Sequence, residues 1–302
     1  MTTELGWHPF RVPLKAPFRG VSERSGALVS GPRGWGEFSP FPGYSDREVD
    51  RCLASAVACA RDPLPRAVRR RVAVHATVGA VPAQQAARLV QASGCAAAKV
   101  KVGEGDDYSR VEAVRQALGP QGLIMVDANG AWTLEEAERA IRRLGPLEVG
   151  LVEQPVATLQ DMVKLRRSVQ VPLAADELVT SPEAARRIAA AEAADVLVVK
   201  VQSLGGVDRS MRTVQACGLP AIVSNLIETS VGIWAGLALA AALDDLPYTC
   251  GLGTAGMLAG DLVAASLIPV DGWLAVERPE VDPARLREFA AQEPPVPSRW
   301  PR

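Results

Sequence analysis

Lysine is scarce in this chain, and its placement is informative. Only five of the 33 basic residues are lysines, at 15, 99, 101, 164 and 200, and Lys99, Lys101 and Lys200 lie in apolar stretches that read as strands. Arginine stays protonated in proteins, whereas a lysine held among apolar groups and other cations can lose its proton near neutral pH and act as a base. Lys99 and Lys101 are two apart on one strand, so their side chains share a face. Taken alone, Lys99-Val-Lys101 reads equally well as a solvated edge-strand face.

Three more strand-like segments end in acids: MVDAN at Asp127, LVEQP at Glu153 and AADEL at Asp176. One such acid at a strand-helix junction can simply cap the helix that follows. Three in succession would repel one another at close range, and a hard divalent cation bound through oxygen resolves that repulsion; magnesium fits best, with manganese as a substitute. Lys101, Asp127, Glu153, Asp176, Lys200 and Ser224 recur every 23 to 26 residues, one strand-helix unit apart. In a parallel barrel the strand C-termini ring one mouth, so these six side chains would converge there. A metal between opposed lysines suits removal of a proton next to a carboxylate, which makes the expected partner a small-molecule carboxylate.

The elements that must position these groups alternate from about residue 72. Strand candidates at 72–79, 96–102, 122–127, 149–153, 171–175, 195–200, 220–224 and 247–250 are separated by helix candidates at 82–93, 107–118, 133–144, 158–168, 181–192, 207–217 and 230–243. Asp106, Thr133 and Ser181-Pro182 supply start signals, and Gly94 and Gly119 supply stops. This order predicts an α/β fold with a TIM-type barrel over 72–260, although a doubly wound open sheet shares the same local grammar. Residues 1–71 are turn-rich with one helix from Asp46 to Ala60, which suggests a small α+β unit. The segment 261–302 is expected to pack back on that unit and to finish loosely in EPPVPSRWPR.

Composition narrows the function classes. A formal net charge of -1 without a basic cluster larger than RRR at 69–71 leaves no electrostatic footprint for nucleic acid. The longest apolar run, 231–243, is shorter than the roughly 20 residues of a membrane span, so a soluble, cytoplasmic protein is expected. Five dispersed cysteines without a CxxC pair argue against a disulfide framework or a thiolate metal site, and two histidines are too few for a multi-histidine centre. Nothing in the sequence sets an oligomeric state.

KVK at 99–101, DAN at 127–129, the glutamate of VEQP, DE at 176–177 and the lysine of VVKVQSLGG together resemble the enolase superfamily, in its muconate-lactonizing branch. The resemblance covers nearly the whole chain and implies a modified (β/α)7β barrel under a small α+β capping domain. It further implies Asp127, Glu153 and Asp176 as magnesium ligands, with Asn129 and Glu177 beside them. Lys101 would be the base, Lys200 would face the substrate and Lys99 would pair with its carboxylate. The short chain and the run SNLIETSVG at 224–232 are similar to members that dehydrate a hydroxycyclohexadiene carboxylate to an aromatic acid. Ser224 and Asn225 would then bind the substrate's acyl tail. Arg19, in the capping loop 17–26, would pair with a carboxylate, and the loop around Gly253 would offer backbone amides. The same lysine pair also serves N-acylamino-acid racemases and dipeptide epimerases. Outside the family, a metal-free Schiff-base aldolase or a non-catalytic barrel uses the same scaffold.

Overall fold

The computed structural model describes residues 4–292, so the proline-rich end at 293–302 lies outside the described residues. The chain opens with an antiparallel sheet of β1 (Gly6–Phe18), β2 (Val21–Gly31) and β3 (Gly34–Phe38), followed by α1 (Asp46–Arg61). The hairpin turns at Arg19 and Gly20, both at positive φ (51° and 76°). A capping box between Ser45 and Glu48 starts α1. The helix lies so close on the sheet that a side chain at Gly36 would overlap the Ala56 carbonyl.

Next come β4 (Arg71–Ala73), β5 (Ala76–Val78), α2 (Ala83–Ser93), β6 (Ala97–Lys101), α3 (Asp107–Leu118), β7 (Leu123–Asp127), α4 (Leu134–Leu144), β8 (Val149–Glu153) and α5 (Leu159–Ser168). The chain continues through β9 (Leu173–Ala175), α6 (Pro182–Ala190), β10 (Val196–Lys200), α7 (Val201–Leu204), α8 (Val207–Cys217), β11 (Ala221–Ser224) and α9 (Ser230–Ala242). Strands β5 to β11 pair in sequence order as one parallel sheet. Its edges are joined through bridges from Ser224 to Gly251 and from Val74 to Cys250, which closes a barrel rather than an open doubly wound sheet. The expected caps at Asp106, Thr133 and Ser181 each accept a backbone N–H from the first turn of their helix.

Two strands differ from expectation. The segment 72–79 divides: β4 pairs antiparallel with β12 (Trp273–Ala275), and only β5 enters the barrel. The division falls where Val74 N donates to Gly272 O and His75 N to Cys250 O, so this stretch serves two partners. The segment 247–250 is not a strand; Cys250 and Gly251 alone bridge the barrel's edges. Pro247 lacks a donor and cannot extend the ladder.

Met125, Leu151, Ala174, Val196, Val198 and Ile222 fill the barrel interior. The core beneath the cap joins Phe10, Leu28, Phe38 and Leu53 to Leu226, Ile227 and Val231 from the rim, so cap and barrel share one apolar seam. The apolar run at 231–243 belongs to α9, buried nearly all round, and no described helix is long and apolar enough to cross a membrane. After β12 the chain forms α10 (Pro283–Glu288) and returns to the cap, where Arg11 N donates to Phe289 O (2.9 Å) and Ala291 N to Pro9 O (3.1 Å). All five cysteines are free.

Candidate active site

Strand register brings the rim together. Lys101 lies level with Asp127, Asp127 with Glu153, and Lys200 with Ser224, while Asp176 follows directly after β9. The side chains then interlock. Lys99 Nζ donates to Glu153 Oε1 (2.7 Å) and stands 3.1 Å from Asp127 Oδ2. Lys101 Nζ donates to Asp127 Oδ2 (2.5 Å) and to Asn129 Oδ1 (2.6 Å). Across the mouth, Lys200 is bonded to Asp176. Asn129 links the two sides: its backbone N–H donates to Asp127 Oδ1 (3.0 Å) and its amide to Glu177 Oε1 (2.9 Å).

Burial makes these charges unequal. Lys101 is lowered, first by burial and then by neighbouring Lys99, with Asp127 opposing. For Lys99, burial opposes the charge, but Glu153, Asp127 and Asp176 outweigh it and raise the amine. Lys200 is likewise raised: burial opposes, and Asp176 and Glu177 prevail. One amine is thus pushed to release its proton and two to keep theirs. Against the cost of burial, Lys99 and Lys101 hold Asp127 well below the usual carboxylate range. Glu153 is pushed up to about 8 by burial and by Asp127, with Lys99 opposing.

A narrow cavity of about 40 Å³ opens between Lys101 and Lys200, walled by Ser224 from the barrel and by Phe18 and Arg19 from the cap. It shares Lys101, Phe18 and Arg19 with an outer chamber of about 500 Å³ that reaches Asn129. Of the expected binding residues, Arg19 and Ser224 reach the cavity. Asn225 also lines it, but its amide donates to Gly251 O (2.9 Å) and its oxygen accepts from Ile227 N (2.6 Å) and Thr254 Oγ1 (3.0 Å), so it shapes the wall. Gly253 faces elsewhere: a Cβ there would lie 3.0 Å from Pro269, and Gly251 and Thr254 face the cavity in its place.

Sequence reasoning missed several neighbours. Gln154 accepts the Asp176 backbone N–H (2.9 Å), which fixes that acid against the strand before it; its place beside Glu153 in VEQP was the available signal. Phe41 and Ile227 close the cavity from the cap seam, where no charged pattern marks them. His75 is pushed down to about 3 by burial and by Lys99, so it is neutral. Its Nδ1 lies 3.1 Å from Thr249 O, a pure acceptor, which assigns the proton to Nδ1 and leaves Nε2 a buried acceptor without a partner. Asn129, Gln154 and Ile227 all hold left-handed φ (47°, 36° and 59°), so backbone strain gathers at this rim.

The donor set suits a hard cation. Three carboxylates from consecutive strands meet at one buried rim, and Glu153 Oε2 is a buried oxygen with no hydrogen-bond partner. The acids face the ammonium groups, and among the described residues no three such side chains stand close enough together to hold an ion as placed. The residues fit a metal by chemistry and burial, with the lysines supplying the positive charge in this arrangement.

A closed parallel barrel with opposed lysines and strand-end acids under an α+β cap is the architecture implied by the family resemblance. Residues 82–280 match the family described as enolase C-terminal domain-like, and residues 10–60 the one described as enolase N-terminal domain-like. The chain belongs to the enolase superfamily, whose members generally use a divalent metal. Within it, the chain is 50% identical over 284 residues to the o-succinylbenzoate synthase of Thermobifida fusca (strain YX), covering 92% of this chain and 90% of that one. It is 44% identical over 296 residues to the o-succinylbenzoate synthase of Mycolicibacterium smegmatis, covering 95% and 90%. Among solved structures, the muconate lactonizing enzyme of Pseudomonas fluorescens complexed with muconolactone superposes with a TM-score of 0.85 at 22% identity, covering 95% of this chain and 98% of that one, which bears on the fold alone.

Proposed function

We propose that the chain catalyses the o-succinylbenzoate synthase reaction of menaquinone biosynthesis: dehydration of 2-succinyl-6-hydroxy-2,4-cyclohexadiene-1-carboxylate to 2-succinylbenzoate. The observation that carries this reading is the placement of Lys101, bonded to Asp127 and Asn129, opposite Lys200, bonded to Asp176, across one buried cavity. Identity to enzymes of that name over most of the chain supports it.

In this reading Lys101 Nζ takes the proton from the carbon that bears the carboxylate, and the C–H electron pair moves into the carboxylate as an enediolate. As the carbon–oxygen bond at C6 breaks, Lys101 returns the proton to the departing hydroxide. Water leaves from the same face, and the ring becomes aromatic. Lys200 presents its ammonium to the ring face opposite Lys101, and Lys99 adds positive charge beneath. Mg2+, held by Asp127, Glu153 and Asp176, would supply Lewis-acid stabilisation of the carboxylate's developing charge, with Mn2+ as a substitute. Asn129 and Glu177 would orient those ligands. Arg19 and Ser224 bind the succinyl tail, and Asn225 braces that wall. Among the described residues, 4–71 and 261–292 act as the cap over the 72–260 barrel, excluding water from the cavity.

The test is appearance of the aromatic product with magnesium and again after chelation. Product that forms with the metal, disappears with chelator and returns on adding magnesium supports the reading. No product from the magnesium-loaded enzyme overturns it.

A further inference from the structure

Two arginines on α3 perform the same task at opposite ends of the barrel, and the one beside the rim acts on Lys101. Arg110 is only 5% exposed. Its Nε donates to Val81 O (2.8 Å), one terminal nitrogen to Lys101 O (3.0 Å) and to Asp107 Oδ1 (2.8 Å), and the other to Glu104 O (3.0 Å). Asp107 in turn accepts the Gly103 backbone N–H (2.7 Å). The guanidinium therefore joins three separate pieces of backbone: the turn after β5, the last residue of β6 and the loop that follows it.

That loop needs an anchor. Beyond Lys101 the ladder continues only through Val102 N to Asp127 O (3.0 Å), and Gly103 and Gly105 then take positive φ (95° and 71°). Lys101 is thus held on its N-terminal side by the sheet and on its C-terminal side by a glycine-rich segment with little intrinsic stiffness. A lysine side chain is long and flexible, so the direction of its amine depends on how well its backbone is fixed. The planar fork of arginine reaches three carbonyls at once, which a lysine's single nitrogen cannot do.

We propose that Arg110 is a positioning residue for Lys101: by clamping the Lys101 carbonyl to Val81 and Glu104, it sets the amine against the substrate's acidic proton. This rests on the reading of Lys101 as the base. Arg115, five residues along the same helix, is an internal control. It donates to Leu147 O (3.1 Å), Gly119 O (2.9 Å), Gly122 O (2.7 Å) and Glu148 O (3.0 Å), all at the far end of the barrel from the rim.

The experiment compares Arg110→Met, Arg110→Lys and Arg115→Met in the full-length, magnesium-loaded enzyme. It measures kcat per folded molecule, KM, the unfolding midpoint, and the deuterium isotope effect on kcat with substrate labelled at the proton that is removed. Displacement of a reacting group by about 1 Å costs roughly 10²-fold, so R110M is expected to lose between about tenfold and 10²-fold in kcat with little change in KM. Its isotope effect should equal or exceed that of the wild type, and R110K should recover part of the loss. R115M should unfold earlier than wild type yet keep its kcat per folded molecule. Wild-type kcat in R110M, an equal kcat loss in R115M, or a smaller isotope effect in R110M overturns the inference. Should R110M not fold, R110K and R115K carry the same comparison. Wild-type turnover is measured first: its absence overturns the reading of the site, whereas wild-type turnover with an unaffected R110M overturns the inference alone.

Discussion

Two of the regions that bury ionisable groups, the seam and the rim, resolve them in opposite ways. Along the seam between cap and barrel, Glu37 accepts from Ser39 Oγ (2.7 Å), Thr229 N (3.1 Å), Thr229 Oγ1 and Gly232 N (3.0 Å), so a cap carboxylate sits at the N-terminus of α9. Arg24, 1% exposed, donates to Ile227 O (3.2 Å) and to Ser39 O, and its guanidinium lies 4.2 Å from the centre of the Phe41 ring. Gln202 spans the seam from Ser39 N (2.9 Å) to Glu228 Oε1 (2.8 Å). Among the described residues, the seam leaves none of these side chains without a partner. At the rim, lysines and acids neutralise each other directly and Glu153 Oε2 is unmatched. Neutral donors and helix ends suit a joint that must not change. Exchangeable ion pairs with spare acceptor capacity suit a site that takes up ligand and moves protons.

The largest effects should separate the two regions by what they damage. Lys101→Met removes the acid-base group, and turnover per folded molecule should fall by about 10²- to 10⁴-fold, a loss larger than the stability Asp127 forfeits when it keeps only Lys99 as its ammonium partner. A substantial residual rate would break the comparison by showing that the rim is as structural as the seam. Lys200→Arg keeps a cation facing Asp176 and should retain part of the dehydration, whereas Lys200→Met should not. Equal losses in both would point to proton transfer at Lys200.

Damage at the seam should read as stability. Glu37→Gln removes acceptor capacity for the Thr229 and Gly232 N–H groups at the start of α9, which should cost about 1–3 kcal/mol in urea unfolding. Turnover per folded molecule should change little below the transition. A large loss of kcat with intact stability would sharpen the comparison differently, by making the seam part of the cavity wall through Ile227 and Phe41.

The two regions also differ in how visible they were in the sequence. The rim was legible because a parallel barrel converts a spacing of 23 to 26 residues into adjacency, and because lysine and acid at strand ends are unusual in an apolar run. Lys99, Lys101, Asp127, Glu153, Asp176 and Lys200 were all found that way. The seam was not legible, since Arg24, Glu37, Gln202 and Glu228 come from a hairpin, a short strand and two helix starts with no common period. Arg110 escaped notice because an arginine near the start of a polar helix reads as solvated, and only the folded loop supplies its three carbonyls. The divided first strand was invisible for a related reason. An eight-residue apolar run does not reveal that β12, two hundred residues later, claims its first two residues together with Arg71 before them.

The smallest effect tests whether the seam is truly fixed in charge. Glu228 is buried and pushed up to about 8, by burial first and by Glu37 next, with the Gln202 hydrogen bond and Arg24 opposing. A carboxyl whose folded pKa lies above its unfolded value of 4.5 binds more protons folded than unfolded between those limits. Its contribution is therefore fully present below pH 4.5, declines as pH rises towards about 8 and is flat beyond. The slope from one such group is at most about 1.4 kcal/mol per pH unit, and relaxation around a buried acid lowers the total to about 1–2 kcal/mol. Glu228→Gln stays neutral and keeps an oxygen for the Gln202 amide. Its unfolding free energy should match the wild type near pH 5 and exceed it near pH 8, because the wild type must then either bind a proton or ionise in the core. Parallel pH profiles for the two proteins would mean that Glu228 folds already charged, and the seam would then hold spare electrostatic capacity as the rim does.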